Sequence, residues 1–334
     1  MKQTRKLLAT IAIVIFCLGL TIPTALADSS GTSTGTATVT SPAPTISSVE
    51  LWNMIEDTNK NNTSLDSSNI EYHLNFTVSD ANTMADMKNA TIIAWDNRGQ
   101  AVTDADSQRY HYTWTWVNLT DTWACPLAAG YIVGANCSDP NSGSLTAGLF
   151  EFRLAFKLSK VANYSNGGTY DGWQFKITVF DAALNQGTYG VGTGGRTQFG
   201  VASYLEISIT DVTHSWSAAP NTADNVVSAG GDGKVDFTAL TNRVWKAQVD
   251  GTQNLTKGSD IIGLYNVTQY GSNDVGSSVP LTFSYADVTG ITSQAAPVAE
   301  ASPTAVGVYL WLDIPTGTPA GDYVYTLNIQ VADG

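Results

Sequence analysis

The 334-residue chain is predicted to be all-β, built as two tandem antiparallel β-sandwiches. Three observations predict this. Long stretches alternate apolar and polar residues with a period of two, no long segment has helical periodicity, and only 13% of residues are charged while aromatics reach 10%. A period of two puts every second side chain on one face, which is the pattern of a sheet with one side buried.

Taken in order, the elements begin with residues 1–27. Lys2, Arg5 and Lys6 form a basic start, Leu7 to Ile22 an apolar run, and Ala25-Leu26-Ala27 a small-x-small cleavage site. That is the pattern of a signal peptide, so the mature chain is expected to start at Asp28 and to work outside the cell. Removing the three signal cations from 16 basic residues leaves 13 against 29 acidic ones, a net charge of about −16. Such a surface argues against nucleic acid and anionic membranes as partners. No second apolar run is long enough to span a bilayer after signal cleavage, and the C-terminus shows no anchor pattern.

Residues 28–45 are rich in Ser, Thr and Gly and end in Ser41-Pro42-Ala43-Pro44, which reads as a flexible tail. Within it Thr36, Ala37, Thr38, Val39 and Thr40 form a β-branched run able to pair as a strand. Residues 46–197 are read as the first sandwich. Ile70, Tyr72, Leu74, Phe76 and Val78 alternate with polar residues, including His73. So do Phe150 to Leu158 and Trp173 to Val179. Ala81 to Met87 is read as one short helical turn, and Asp96-Asn97-Arg98-Gly99 as a hairpin turn. Residues 198–334 are read as the second sandwich, with strands near 205–209, 235–240, 261–267, 281–285, 306–312 and 323–331.

Val78 to Asp86 leading into Ala90 to Asp96, Trp173 to Asp181, and Leu312 to Pro315 followed by Gly317 to Tyr323 together resemble the Ig-like modules of archaeal secreted surface proteins. The resemblance spans most of residues 46–334. It implies Ig-like sandwiches and a structural role in a surface layer, sheath or extracellular filament. Some filaments of this broad group join subunits by donor-strand exchange.

Nine Asn-x-Ser/Thr sequons lie at Asn61, Asn62, Asn75, Asn89, Asn118, Asn136, Asn163, Asn254 and Asn266. N-linked glycans are therefore expected partners, on at least three of these sites. Cys125 and Cys137 are the two cysteines left after signal removal. An oxidising compartment predicts a disulfide between them, adding roughly 3 kcal/mol.

Other motifs weigh less. Gly190 to Gly195 matches G-x-G-x-x-G, but no βαβ unit surrounds it, so a connecting loop is expected. His73, His111 and His214 are scattered, with no metal spacing and no nucleophile motif, and an enzyme is not expected. Tyr110, Tyr112, Trp114 and Trp116 share one side of a strand. They form either a sandwich core or a sugar-stacking platform, and the core reading is favoured. The pairs Asp104 and Asp106, Asp181 and Asn185, and Asp232 and Asp236 are calcium candidates without a complete loop motif; turn capping by Asp and Asn is the favoured reading over a structural calcium ion, and no cofactor or metal site is assigned. The leading expectation is a self-assembling homopolymer subunit, joined head to tail through the 36–40 donor strand. The alternative is a carbohydrate-binding or adhesin module.

Overall fold

In the computed structural model, residues 41–61, 63–67, 69–127, 129–139, 147–165, 172–190, 198–228 and 232–334 are described. No α-helix occurs among them. The expected signal segment, the expected donor strand at 36–40, Asn62 and the glycines from 191 to 195 lie outside the described residues.

The first core lies between two sheets. One holds β1 (Thr45–Asn53), β2 (Thr58–Asn59), β4 (Glu71–Thr83) and β8 (Ala147–Lys157) in the order β2-β1-β4-β8. The other runs β3 (Ser64–Leu65), β11 (Gln198–Val201), β9 (Trp173–Asp181), β5 (Met87–Asp96), β6 (His111–Val117), β7 (Thr122–Ala124), with β10 (Gln186–Gly190) also on β9. All pairings are antiparallel except β11 with β3. The alternation read from β4 and β8 is in register: Leu74 faces Leu154, and Phe76 faces Phe152. The facing sheet meets them with Trp114 on Phe156 and Trp116 on Phe152, ring centroids 5.1 Å apart in each case. Tilted and edge contacts of this kind suit the ring quadrupoles.

The second core is likewise enclosed by sheets. β12 (Leu205–Ile209), β13 (Thr222–Val226), β14 (Lys234–Thr241), β18 (Val267–Tyr270), β19 (Val279–Pro280) and β21 (Thr304–Ile314) form one. β15 (Trp245–Gly251), β20 (Ala286–Asp287) and β22 (Leu327–Asp333) form the other, and β16 (Leu255–Lys257) pairs with β17 (Asp260–Ile262). Phe237, Val308 and Leu310 from the larger sheet pack with Trp245, Ala247 and Val249 from the smaller.

Several expectations are corrected. Residues 198–201, assigned to the second sandwich, add a strand to the first, because Phe199 stacks on Trp173 and packs at a tilt on Phe175. His73 is buried rather than on a polar face; its ring bonds Glu71 Oε1 at 2.7 Å. The turn at 97–99 is present, with Asp96 Oδ1 accepting from Arg98 N at 3.1 Å, but β5 and β6 are joined by the whole of residues 97–110 and not by a tight hairpin. The Asp96 carboxyl also accepts from Arg98 Nε and Asn163 Nδ2, which anchors the sheet end. The short turn near Ala81 is a 3-10 turn at Met84–Asp86. The segments 261–267 and 281–285 are mostly not strand.

Ser41–Gly334 forms one compact unit, and a polar seam joins its two cores. Asn242 is fully buried there. Its amide reaches Ala202 O at 2.7 Å, Ala162 O at 3.0 Å and Ser67 Oγ at 3.2 Å, and its carbonyl accepts from Tyr204 N at 2.8 Å. Around it Glu300 accepts from Lys160 N, Arg109 donates to Ala296 O, and the Arg243 guanidinium lies 4.3 Å above the Tyr164 ring.

Candidate functional site

An assembling β-protein acts through its strand edges and through whatever segment can pair with them. The first feature is therefore the segment where the N-terminal region enters. Ser41 Oγ donates to Asp181 Oδ2 at 3.1 Å, and Asn185 Nδ2 donates to Ser41 O at 2.9 Å. Pro44 is buried against Gly187. A Cβ at Gly187 would come well under 3.0 Å from the Pro44 carbonyl, so only glycine admits the chain at this point.

The residues that hold Ser41 are acidic. Asn82 Nδ2 donates both to Ser41 Oγ and to Asp86 Oδ2. Asp181 accepts from Asn185 N at 2.7 Å and Asn185 Nδ2 at 2.8 Å. Burial opposes ionisation of Asp181, yet these bonds hold its carboxyl below the usual range. Asp80 is raised, first by burial and then by the like charges of Asp86 and Asp181. Its Oδ1 accepts from Asn82 N at 2.7 Å.

The second feature is the edge formed by β22. It pairs with β15 on one side and with no strand on the other, among the described residues. Leu327 to Ala332 include no charge and no proline, the usual guards of an exposed edge; the one charge on the strand is Asp333 at its end, paired with Arg243 at 2.9 Å. Just before β22 a groove of about 490 Å³ opens, lined by Trp216, Leu255, Ile262, Leu312, Ile314 and Tyr325 among others. His214 Nε2 and Tyr325 OH are 2.6 Å apart on its wall. Burial lowers the His214 pKa, so the ring is neutral at pH 7, and burial raises that of Tyr325.

The remaining sequence-predicted residues are dispersed. Among the sequons, Asn136 is exposed, and its amide also reaches Glu71 Oε1 at 2.7 Å. Asn61, Asn75, Asn89, Asn118, Asn163, Asn254 and Asn266 are half-buried. Asn163 is bonded inward, to Asp96 Oδ2 at 2.5 Å, beside the fully buried Ser165. Asn254 Oδ1 accepts from Leu264 N, and Asn118 Nδ2 donates to Met87 O.

Cys125 and Cys137 pack against the same core but no disulfide joins them, contrary to expectation. The Cys137 sulfur is turned to β8, 3.3 Å from Ala155 N and 3.7 Å from Ala155 O. Burial pushes its thiol pKa up.

Three of the four aromatics in the row are core: Tyr112, Trp114 and Trp116 are fully buried and offer no face to a sugar, while Tyr110 is half-buried under the Arg109 guanidinium. His111 has both ring nitrogens engaged, with Asp106 Oδ1 at 2.8 Å and Val102 O at 3.2 Å. Asp104 accepts from Ala101 N, and Asp232 and Asp236 pair with Lys234. Among the described residues no group of three His, Cys, Asp or Glu side chains forms a ready metal cage, and no helix is long and apolar enough to cross a membrane.

The open β22 edge, the groove and the Ser41 anchor escaped the sequence reading. The first two depend on which strands fail to find neighbours, and the third on contacts 140 residues apart along the chain. Only the Asp181–Asn185 spacing marked the anchor in advance. No known family model matches the chain, and no curated protein is significantly similar to it.

Proposed function

We propose that this chain is a secreted, N-glycosylated structural subunit with two tandem Ig-like sandwiches, self-assembling head to tail into an extracellular filament, sheath or surface layer. The observation that carries the reading is the edge of β22, which has no neighbouring strand on one side among the described residues and is uncharged from Leu327 to Ala332. A strand from a neighbouring copy supplies the missing main-chain hydrogen bonds there, and alternate side chains set its register. The donor is the mature N-terminal tail, with Thr36 to Thr40 as the added strand and Ala37 and Val39 directed inward. Signal cleavage frees that tail only on export, which delays assembly until the subunit is outside. Two small inward residues contribute only a few kcal/mol, at about 25 cal/mol per Å², so the adjoining groove and other contacts add the remainder. A contact between unlike surfaces does not close on itself and therefore propagates.

Deleting residues 28–44 from the mature chain is the test. The expected result is a folded, soluble monomer by sedimentation and circular dichroism, with no polymers in negative-stain images. Polymers of undiminished length from the truncated chain rule the tail out as donor.

Exposed Tyr265, Phe283 and Tyr285 favour a second reading, a carbohydrate-binding or adhesive module. Glycan-array binding that is lost in Phe283→Ala and Tyr265→Ala with the fold intact, together with dispersed particles for the parent chain, selects that reading.

A further inference from the structure

We propose that Asp80, Asp86 and Asp181 form, with Asn82, Asn185 and Ser41, a binding site for one divalent cation of the calcium type. The Asp80 side chain is only 5% exposed, and its Oδ2 is buried with no hydrogen-bond partner. Leaving a buried carboxylate oxygen unmatched is costly. Asp181 is fully buried as well. No Lys, Arg or His forms an ion pair with any of the three carboxylates, among the described residues. Buried like charges without a counter-ion destabilise the fold, and a cation between them removes that cost.

The local backbone explains why these groups meet. A register shift after Asp80 ends the regular β4–β8 ladder, so Asp80 and Asn82 leave the pleat. The 3-10 turn carries Asp86 back, where its carbonyl accepts from Ala182 N at 2.6 Å. Met87 stands opposite Asp181 in the β5–β9 register, which sets Asp86 beside Asp181. The carboxylates alone make no cage; neutral oxygens complete the set. Asn82 and Asn185 now turn their amide nitrogens toward Asp86 and Asp181. Rotating either amide by half a turn presents its carbonyl oxygen instead. Three carboxylates, two amide oxygens and the Ser41 hydroxyl or carbonyl reach the six to eight hard oxygens that calcium takes, in a flexible arrangement that magnesium, which demands regular octahedral geometry, does not favour. The ion would tie Ser41 to two strand ends. The inference rests on this geometry and not on the polymerisation reading.

The test is calcium binding to the full mature chain, by isothermal titration and thermal melting in chelator, calcium chloride or magnesium chloride. One calcium per chain is expected, with dissociation constant on the order of 10⁻⁴ to 10⁻³ M as in extracellular modules. Calcium at 10 times that value should raise Tm by several degrees and magnesium much less. Asp80→Asn should abolish the calcium shift, yet melt at or above the parent in chelator because a like charge is gone. If Asp80→Asn does not fold, Asp86→Asn serves with the same expectation. No calcium binding to the parent, or an equal calcium shift in the folded variant, overturns the site. Either result leaves the tail-deletion test unaffected.

Discussion

At the residue scale, the buried polar groups separate into those that are matched and those that are not. Asn242 is the best matched. It spans the seam with a carbonyl that accepts and an amide facing three acceptors, two of them main-chain carbonyls. Asn242→Ala strands those groups in a dry interface, which costs roughly 1–3 kcal/mol per unsatisfied group. We expect a loss of roughly 2–4 kcal/mol, read as a lower midpoint in urea melts. An unchanged midpoint removes the seam from the list of stabilising features.

Asp139 is the opposite case. Burial and the facing Asp121 carboxylate raise its pKa to about 6. In the unfolded chain the group titrates near its ordinary 3.8. The folded state therefore binds the extra proton, and this contribution is complete below about 3.8 and lost as pH rises through about 6. Asp139→Asn should raise Tm at pH 7.5 and leave it nearly unchanged at pH 4. An equal effect at both values shows that the Asp121 repulsion is not the cause.

At the scale of the elements, alternation decided more than any motif. Inward positions on β4, β8 and β9 were readable because a one-sided strand repeats every two residues. What the pattern missed is the second face. Gln174, Thr178 and His73 are buried too; β9 runs between β5 and β10 and β4 between β1 and β8. A polar residue on such a strand looks solvent-facing in the sequence until the elements covering it are in place.

The same limit governs the sequons. Asn136 stands exposed on the 3-10 turn Gly134–Asn136, whereas Asn163 is spent on Asp96 at the seam. If the host modifies this motif, glycopeptide mass spectrometry should find sugar at Asn136 and none at Asn163. A fully occupied Asn163 in folded protein contradicts the packing there, because a glycan cannot share that 2.5 Å contact with Asp96.

At the scale of the whole molecule, the question is why such a chain would stay single. In the proposed function, copies that have lost the signal carry a net charge of about −16 and repel one another, so assembly needs a directed contact rather than general stickiness. The tail and the β22 edge provide one in the proposed function. Losing residues 28–44 should raise the concentration needed for polymers beyond reach without lowering Tm by more than the loss of the Ser41–Pro44 contacts. A truncated chain that fails to fold shows instead that this segment belongs to the core structure.

The sequence by itself determined that the chain is all-β and which apolar residues of the main strands point inward, and it favoured a core for Tyr112 to Trp116 that the burial of those rings then decided. Those are local properties, set by side-chain period and composition. Tertiary structure alone decided where Phe199 docks, that the Cys137 sulfur turns to Ala155, which strand is left with a bare edge, and that Asp80, Asp86 and Asp181 stand together. Each of these depends on contacts between residues far apart in the chain, whose meeting is decided by the closing of sheets around two cores and is written in no short stretch of residues.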